Sequence, residues 1–527
     1  MNDQLNYYAR RAALGLISRR EFIGRALALG ATAATANTLL SSAVKAAGPQ
    51  PGGIIRLGIQ GGSTTDNLDP ATAANFAATQ GNLLWGEALL SLVDGGGLAG
   101  RVAESYEGSP DAKTWRFKLR DGITYSNGKP VTSDDVVATI ERHAGEDTES
   151  GALGLLRDID TVTAEDNTVV IGLKNPNADL PYYMQDYHLI IQPDGGKDDP
   201  TAAIGTGPYI LKEFEAGVRS VFEKNPNYWG DYGYASTIEL IVINDNTARV
   251  AALQAGQVDL IDRVPPRTAG LIDKNPNITV HSVPSSGHYV FIMHCDTAPF
   301  NNNDLRLALK HGINRQEMVD KILFGYGSAG NDTPINAAYP LYTEFEQREY
   351  DPDKAKFHFN KSGYDGSILL RTSDNSFPGA PDAAALFQQS LAAAGIKLEI
   401  KREPNDGYWS EVWNKQPFCT SYWGGRPIQD QMFSTAYLSS ADWNDTRFFN
   451  DEFDKLLVTA RGEVNTTKRK QIYADMGTVL RNEGGLICPM FNDFVDAQSS
   501  RIVGWKNETP GFALMNNSAP MRMWVKA

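Results

Sequence analysis

At 527 residues the chain is longer than one hydrophobic core serves, and the length points to about three or four domain-sized units. Apolar residues make up 42 % and charged residues 21 %, a globular composition that excludes a disordered chain. The formal charge is −14, and −18 once residues 1–46, with six basic and two acidic side chains, are set aside; this excludes binding of nucleic acid or an anionic membrane by general electrostatics.

The first segment reads as an address. Ser18-Arg19-Arg20-Glu21-Phe22-Ile23-Gly24 sets paired arginines before an apolar pair and a mild Ala/Leu/Thr stretch, the pattern of a twin-arginine export signal. The other reading is an amphipathic N-terminal helix of a cytosolic protein. Residues 26–44 are broken by Thr, Asn and Ser and make a weak membrane span. The expected cut lies near Val44-Lys45-Ala46, and no cysteine follows it to take a lipid. No later segment approaches the roughly 20 apolar residues of a membrane helix. The mature protein is expected to be soluble and periplasmic.

Beyond the leader, strand-like and helix-like segments alternate, so the class is α/β. Residues 54–59 form a short apolar strand. Trp115, Phe117 and Leu119 alternate with Arg116, Lys118 and Arg120, as a half-buried strand does. Thr132-Ser133-Asp134-Asp135 places hydroxyl caps and acids at a helix start. Residues 167–173 and 237–243 are strands, and 247–255 a helix stopped by Gly256. Asn314 and Glu317 have capping-box spacing and open a helix expected to run to Gly325. Asp351-Pro352 opens another, stopped by Gly363. Residues 381–395 form an amphipathic helix, 396–402 the strand after it, and long helices at about 451–461 and 466–482 close the set.

Catalytic motifs find little support. Gly95-Gly96-Gly97-Leu98-Ala99-Gly100 matches the letters of a dinucleotide fingerprint, but no helix begins inside it, so it reads as a hairpin loop. Gly205-Thr206-Gly207-Pro208 lacks the lysine of a phosphate loop, and no Gly-x-Ser-x-Gly elbow supports a hydrolase. The seven histidines lack metalloprotease spacing. His288 and His294 could share a strand face, but with no third ligand in view they read as buried, hydrogen-bonded side chains. Cys295, Cys419 and Cys488 allow one disulfide with a free thiol, or three thiols. No metal and no cofactor is called for.

One block does carry a signature. Residues 98–143 read Leu-Ala, then Ala-Glu-Ser, a turn, an aromatic strand closing on Leu-Arg-Asp-Gly, and a turn before Asp-Asp-Val. Gly205-Thr206-Gly207-Pro208-Tyr209, Asn225-Pro226-Asn227-Tyr228-Trp229 and Ala252-Leu253-Gln254-Ala255-Gly256-Gln257-Val258-Asp259 follow in order, then the helix pair of 304–318. This order and spacing resembles the family 5 extracellular solute-binding proteins of ABC importers for peptides, nickel chelates and opines. The resemblance runs over about 51–525. The residues themselves are mostly turns and strands, so they identify a fold before a ligand.

The resemblance implies a two-lobed periplasmic-binding-protein fold of the cluster C type, with an extra subdomain and two hinge crossings. The expected limits are 47–283 with 490–527 for the first lobe, its subdomain at about 82–200, and 284–489 for the second. Such a protein closes on its ligand as a population shift. It performs no bond-making chemistry, acts as a monomer, and docks on an ABC permease and ATPase complex at the inner membrane.

The ligand choice is read from 418–437. Peptide-binding relatives tend to carry Gly-Asp here, the acid gripping a peptide amino terminus. This chain has Trp423-Gly424-Gly425-Arg426-Pro427, with Asp430 further on. An arginine offers a planar fork for a carboxylate, a tryptophan a flat face, and glycines let backbone amides approach. Arg426 thus either holds an anionic solute, such as an opine, an amino-acid conjugate or a carboxylate chelate, or pairs with Asp430. Tyr408 and Trp409 are further ligand candidates, while Trp409 and Trp413, at i and i+4, also suit a core. Trp85 fits a stacking or a core role, Tyr289 is expected at the lobe crossing, and Ser376-Phe377-Pro378 at the rim. A di- or oligopeptide is the alternative ligand. An exported hydrolase is the remote alternative.

Overall fold

The structure, a computed structural model, describes residues 2–13, 17, 19–32, 35–36, 38–39, 48–73, 75–145, 147–404, 408–441, 443–508 and 512–526. The expected cut at 44–46 lies outside these. Helices Asn2–Ala13 and Arg19–Ala28 share a small core of Leu5, Ala9, Phe22, Ala26 and Ala36. Among the described residues no helix is long and apolar enough to cross a membrane.

The strands, in chain order, are β1 (Ile54–Ile59), β2 (Leu90–Leu92), β3 (Leu98–Gly100), β4 (Ala103–Gly108), β5 (Thr114–Leu119), β6 (Ile159–Glu165), β7 (Thr168–Leu173), β8 (Tyr209–Glu215), β9 (Arg219–Lys224) and β10 (Thr237–Val242). After them come β11 (Leu260–Ile261), β12 (Ile278–Met293), β13 (Gly327–Ala329), β14 (Ile368–Thr372), β15 (Leu398–Arg402), β16 (Phe418–Trp423) and β17 (Leu486–Ser499). Eleven of them form one sheet in the order β15-β14-β16-β12-β17-β11-β1-β10-β9-β8, with β13 on β17.

That order makes two lobes. The first is built on β1, parallel to both β10 and β11. The second is built on β14, parallel to β15 and β16. Only β12 and β17 belong to both. The early part of β12 pairs with β17 from Ser499 back to Asp493, and its late part pairs with β16. The β12–β17 register breaks between Pro284 and His288, where the ladder passes from one lobe to the other. A separate sheet, β4-β5-β7-β6, forms the extra subdomain with helix Ser133–Ala144. Its core includes Trp115, Phe117, Leu119, Val136, Ile140, Val169 and Ile171.

Local chemistry explains the ends of the elements. Thr132 Oγ1 accepts from the Asp135 amide at 3.3 Å, and Asp135 accepts from the Thr132 amide at 2.9 Å, closing a capping box. Asp351 caps helix Pro352–Ser362, and Gly363 ends it in the left-handed region at φ 69°. Residues 94–96 form the bend between β2 and β3, the hairpin read from the glycine-rich run. The helix opened by Asn314 is shorter than expected: it spans Arg315–Lys321, and the chain then turns down to Gly325. All three cysteines are free thiols, Cys419 and Cys488 fully buried.

Candidate functional site

In open α/β sheets the crevice beyond the carboxyl ends of the strands is the natural place for a ligand. In the first lobe β1 ends there at Ile59, and β11 leads into Asp262-Arg263. In the second lobe β14 leads into 373–377 and β16 into 424–428. Tyr289 lies on the antiparallel β12 opposite Tyr422 and so reaches the same edge.

Arg426 stands on this edge. Its Nη1 donates to the carbonyls of Gly424 at 3.0 Å and Gly425 at 3.3 Å, and its backbone amide meets Tyr339 Oη at 3.4 Å. A side chain on Gly425 would run into Ser286, so glycine is required for the loop to lie against the strand crossing. Among the described residues no carboxylate stands within ion-pair distance of Arg426. Asp430, the partner allowed by the sequence, is bound elsewhere. Burial lowers the Arg426 pKa, with Tyr339, Tyr187 and Asp186 acting against it. The nearest acid among these, Asp186, hydrogen-bonds His188 Nδ1 at 2.6 Å. Tyr187 and Asp186 belong to the stretch that closes the extra subdomain, so Arg426 faces across the lobes.

Several sequence candidates sit elsewhere. Trp85 is fully buried in the first-lobe core, its Nε1 donating to Asn82 at 3.2 Å. The backbones of Gly205 and Gly207 press on it so closely that a Cβ on either would come within 2.5 Å of the Trp85 backbone. The Gly-Thr-Gly turn therefore serves packing, and Trp85 is no ligand platform. Tyr408 is buried too, donating to the Thr420 carbonyl at 2.7 Å. Asp430 is a joint and not a ligand group. Its Oδ1 accepts from Arg461 Nε at 2.8 Å and its Oδ2 from Tyr183 Oη at 2.9 Å. Beside it the buried Asp179 pairs with Arg469 at 3.0 Å and accepts from Tyr473 Oη at 3.3 Å. Tyr183 and Asp179 come from the subdomain and the other four from the second lobe, so this cluster ties the two together. Burial raises the Asp179 pKa.

Trp423 is 5 % exposed and packs with Trp413 and Trp443 at ring separations of 6.4 and 6.1 Å. Beneath them Asp445 accepts from Trp413 Nε1 at 2.9 Å, and burial pushes its pKa up to about 7. Asp406 and Gly407 lie outside the described residues. Tyr408–Val412 forms one wide helical turn, which brings Trp409 edge-on to both Trp413 and Tyr422. Trp409 is half-buried, and Tyr422 and Trp443 are exposed, so these three aromatics present a face to solvent. Tyr289 is half-buried and stacks on Phe377 at 4.4 Å. His288 Nδ1 donates to the Ser286 carbonyl at 3.0 Å at the crossing, and burial lowers both His288 and His294 to about 4. Among the described residues no metal-ligating cluster of three side chains gathers.

Sequence reasoning missed Arg263, Phe76, Tyr187 and Tyr339. The last three carry no local signal, since chain folding alone brings Tyr187 and Tyr339 near Arg426 and Phe76 under Arg263. Arg263 had one: it lies just past the apolar end of a strand, after Asp262.

Two α/β lobes sharing a pair of strands, with an arginine at a strand end that has no carboxylate partner among the described residues, define a two-lobed solute-binding protein. The chain belongs to the bacterial extracellular solute-binding proteins of family 5, whose middle region matches residues 97–445. It is similar to the glutathione-binding protein GsiB of Salmonella typhi, at 27 % identity over 434 residues, 78 % of this chain and 84 % of that protein. Its fold matches that of AgaA from A. tumefaciens R10, solved with agropinic acid, at 23 % identity and a TM-score of 0.74 over 90 % of this chain and 99 % of that one. It likewise matches DppA from Helicobacter pylori, solved with the peptide STSA, at 20 % identity and a TM-score of 0.73 over 91 % and 99 %. The chain is thus a solute-binding component of the ABC-importer type, a family that works with a permease and an ATPase.

Proposed function

We propose that this protein captures a small anionic solute between its lobes, closes on it, and passes it unaltered to its permease. One observation carries the reading: a half-buried guanidinium beyond the end of β16, held by two backbone carbonyls and without a carboxylate partner among the described residues. A buried charge needs a partner, and a bound carboxylate supplies one with two parallel hydrogen bonds. The glycine pair leaves room beside it, and the half-buried Trp409 with the exposed Tyr422 and Trp443 adds aromatic surface on the same lobe. Opines, amino-acid conjugates and carboxylate chelates have this chemistry.

A peptide reading has its own support in the names of two relatives, glutathione-binding GsiB and the DppA–peptide complex. The two readings meet in a small acidic peptide. The hinge of the proposed cycle is the register break at Pro284–His288, close to the lobe limits 283/284 and 489/490. Export by the twin-arginine leader to the periplasm, removal of residues 1–46, and action as a monomer complete the reading.

A thermal-shift panel of opines, carboxylates, glutathione and neutral peptides tests it, followed by titration calorimetry on Arg426→Gln. A ligand at 100 times its Kd adds about 2.7 kcal/mol, a readily seen shift. Stabilisation by anionic members and a loss of about tenfold or more in Arg426→Gln is expected. Preference for neutral peptides, or full affinity in Arg426→Gln, would refute it.

A further inference from the structure

We propose that Arg263 is a second anion-binding residue, on the first-lobe side of the cleft, and that the ligand carries two anionic groups, one for each lobe. This rests on the reading of Arg426 as the first anion site.

Arg263 lies two residues beyond the end of β11, next to Asp262, whose carboxylate accepts from the Gln60 amide where the first-lobe strands end. Its backbone is in the left-handed region at φ 48°, a conformation that non-glycine residues hold only where their surroundings enforce it. Those surroundings are visible. Its carbonyl accepts from Arg249 Nη2 at 3.1 Å, and the next amide donates to Val495 of β17 at 2.7 Å. The clamp fixes the direction in which the side chain leaves the sheet.

The side chain is 52 % exposed, and its guanidinium lies over the ring of Phe76 at 5.4 Å. Among the described residues it donates no hydrogen bond. Its one approach to an acid is 3.7 Å, to Asp262. The buried Arg249 at 3.3 Å and the Gln60 amide at 3.1 Å both hold Asp262 Oδ1, so Arg263 Nε makes only this long contact, with Oδ2. Asp496 sits close by on β17 with its Oδ2 taken by the Leu514 amide at 2.9 Å. The guanidinium therefore keeps its hydrogen-bonding edge free. Burial raises the pKa of the Tyr289 hydroxyl on β12, and the Arg263 charge acts against that rise.

The placement decides between a structural and a binding role. A structural arginine here would turn inward to Asp262, as Arg249 does. Arg263 keeps only the long contact to Asp262, stacks on the Phe76 ring and leaves its terminal nitrogens to solvent, the posture suited to a planar carboxylate. A solute held at both ends by guanidinium groups from opposite lobes also supplies what closure requires, contact with both halves at once.

The test is calorimetric titration of the full chain with glutathione and with its glycine monoethyl ester, on wild type, Arg263→Gln, Arg263→Lys and Arg426→Gln. A parallel thermal-shift panel holds agropinic acid and N-succinyl amino acids, and scanning calorimetry checks that each variant folds. The expected result is a loss of about tenfold or more for glutathione in Arg263→Gln, partly restored in Arg263→Lys. The ester should be insensitive to replacement of one arginine and sensitive to the other. Arg263→Gln within twofold of wild type, while Arg426→Gln is damaged, sinks the second site alone. Silence of Arg426→Gln sinks the underlying reading instead. Equal losses for acid and ester in both variants, or no stabilisation by any dianion, overturn the proposal.

Discussion

Tyr183→Phe isolates the bond that crosses from the subdomain to the second lobe. Tyr183 Oη donates to Asp430 Oδ2 at 2.9 Å, and both residues are almost fully buried. Removing the hydroxyl leaves Asp430 with Arg461, so no charge is stranded; the larger penalty of breaking a buried pair, about 3–5 kcal/mol, does not apply. What goes is one hydrogen bond to a charged acceptor, worth about 1.5–3 kcal/mol. The Arg461 side chain is 26 % exposed, and water there softens the local field. A net loss of about 1–2 kcal/mol follows, or roughly 5- to 30-fold in the closed-to-open ratio. On the proposed cycle, in which opening parts the subdomain from the second lobe, ligand affinity should fall by that factor although Tyr183 touches no ligand. Titration calorimetry with the tightest solute of the panel measures it, and small-angle scattering of the free protein should show a more open average. In a double-mutant cycle Asp430→Asn should add little to Tyr183→Phe. An affinity within twofold of wild type would show that this joint is not coupled to closure.

Trp85→Ala should cost about 3–5 kcal/mol of stability in urea unfolding yet leave the affinity of the folded fraction unchanged; a selective affinity loss would return Trp85 to the cleft. Gly425→Ala forces a side chain against Ser286 and should lower stability by about 1–3 kcal/mol and weaken binding, both read by thermal shift with and without solute. Five histidines, His143, His281, His288, His294 and His311, are held by burial to about 4. The unfolded chain takes up their protons near pH 6.5, so stability drops as pH falls from about 6.5 to about 4. Asp445 and Asp496, raised by burial to about 7, act in the opposite sense, losing stability as pH rises from about 4 to about 7. The histidines are more numerous, and the urea midpoint should be lower at pH 5 than at pH 7; an equal or higher midpoint contradicts the buried, neutral histidines.

The fold was largely legible because its signals are local. The capping box at Thr132, the Asp351-Pro352 start, the glycine stops and the alternation around Trp115 each depend on neighbours in sequence. The site was legible only in part. The Trp-Gly-Gly-Arg loop could be found because a strand end, two glycines and a cation stand together in the chain. The roles of Trp85, Tyr408 and Asp430 could not, because an aromatic or acidic side chain reads the same in a core as in a cleft. What decides between them is a partner far along the chain, such as Tyr183 for Asp430, at a separation of 247 residues. Arg263 had a local signal in the apolar strand just before it, but its left-handed backbone and its aromatic neighbour are supplied only by the assembled fold.

The most direct test of the central claim is a crystal structure of the protein with the solute that stabilises it. The account predicts closed lobes and an acidic oxygen of the solute within hydrogen-bond distance of the Arg426 guanidinium. A bound solute that turns an amino group toward this loop, with Arg426 folded back onto Asp186, would contradict it.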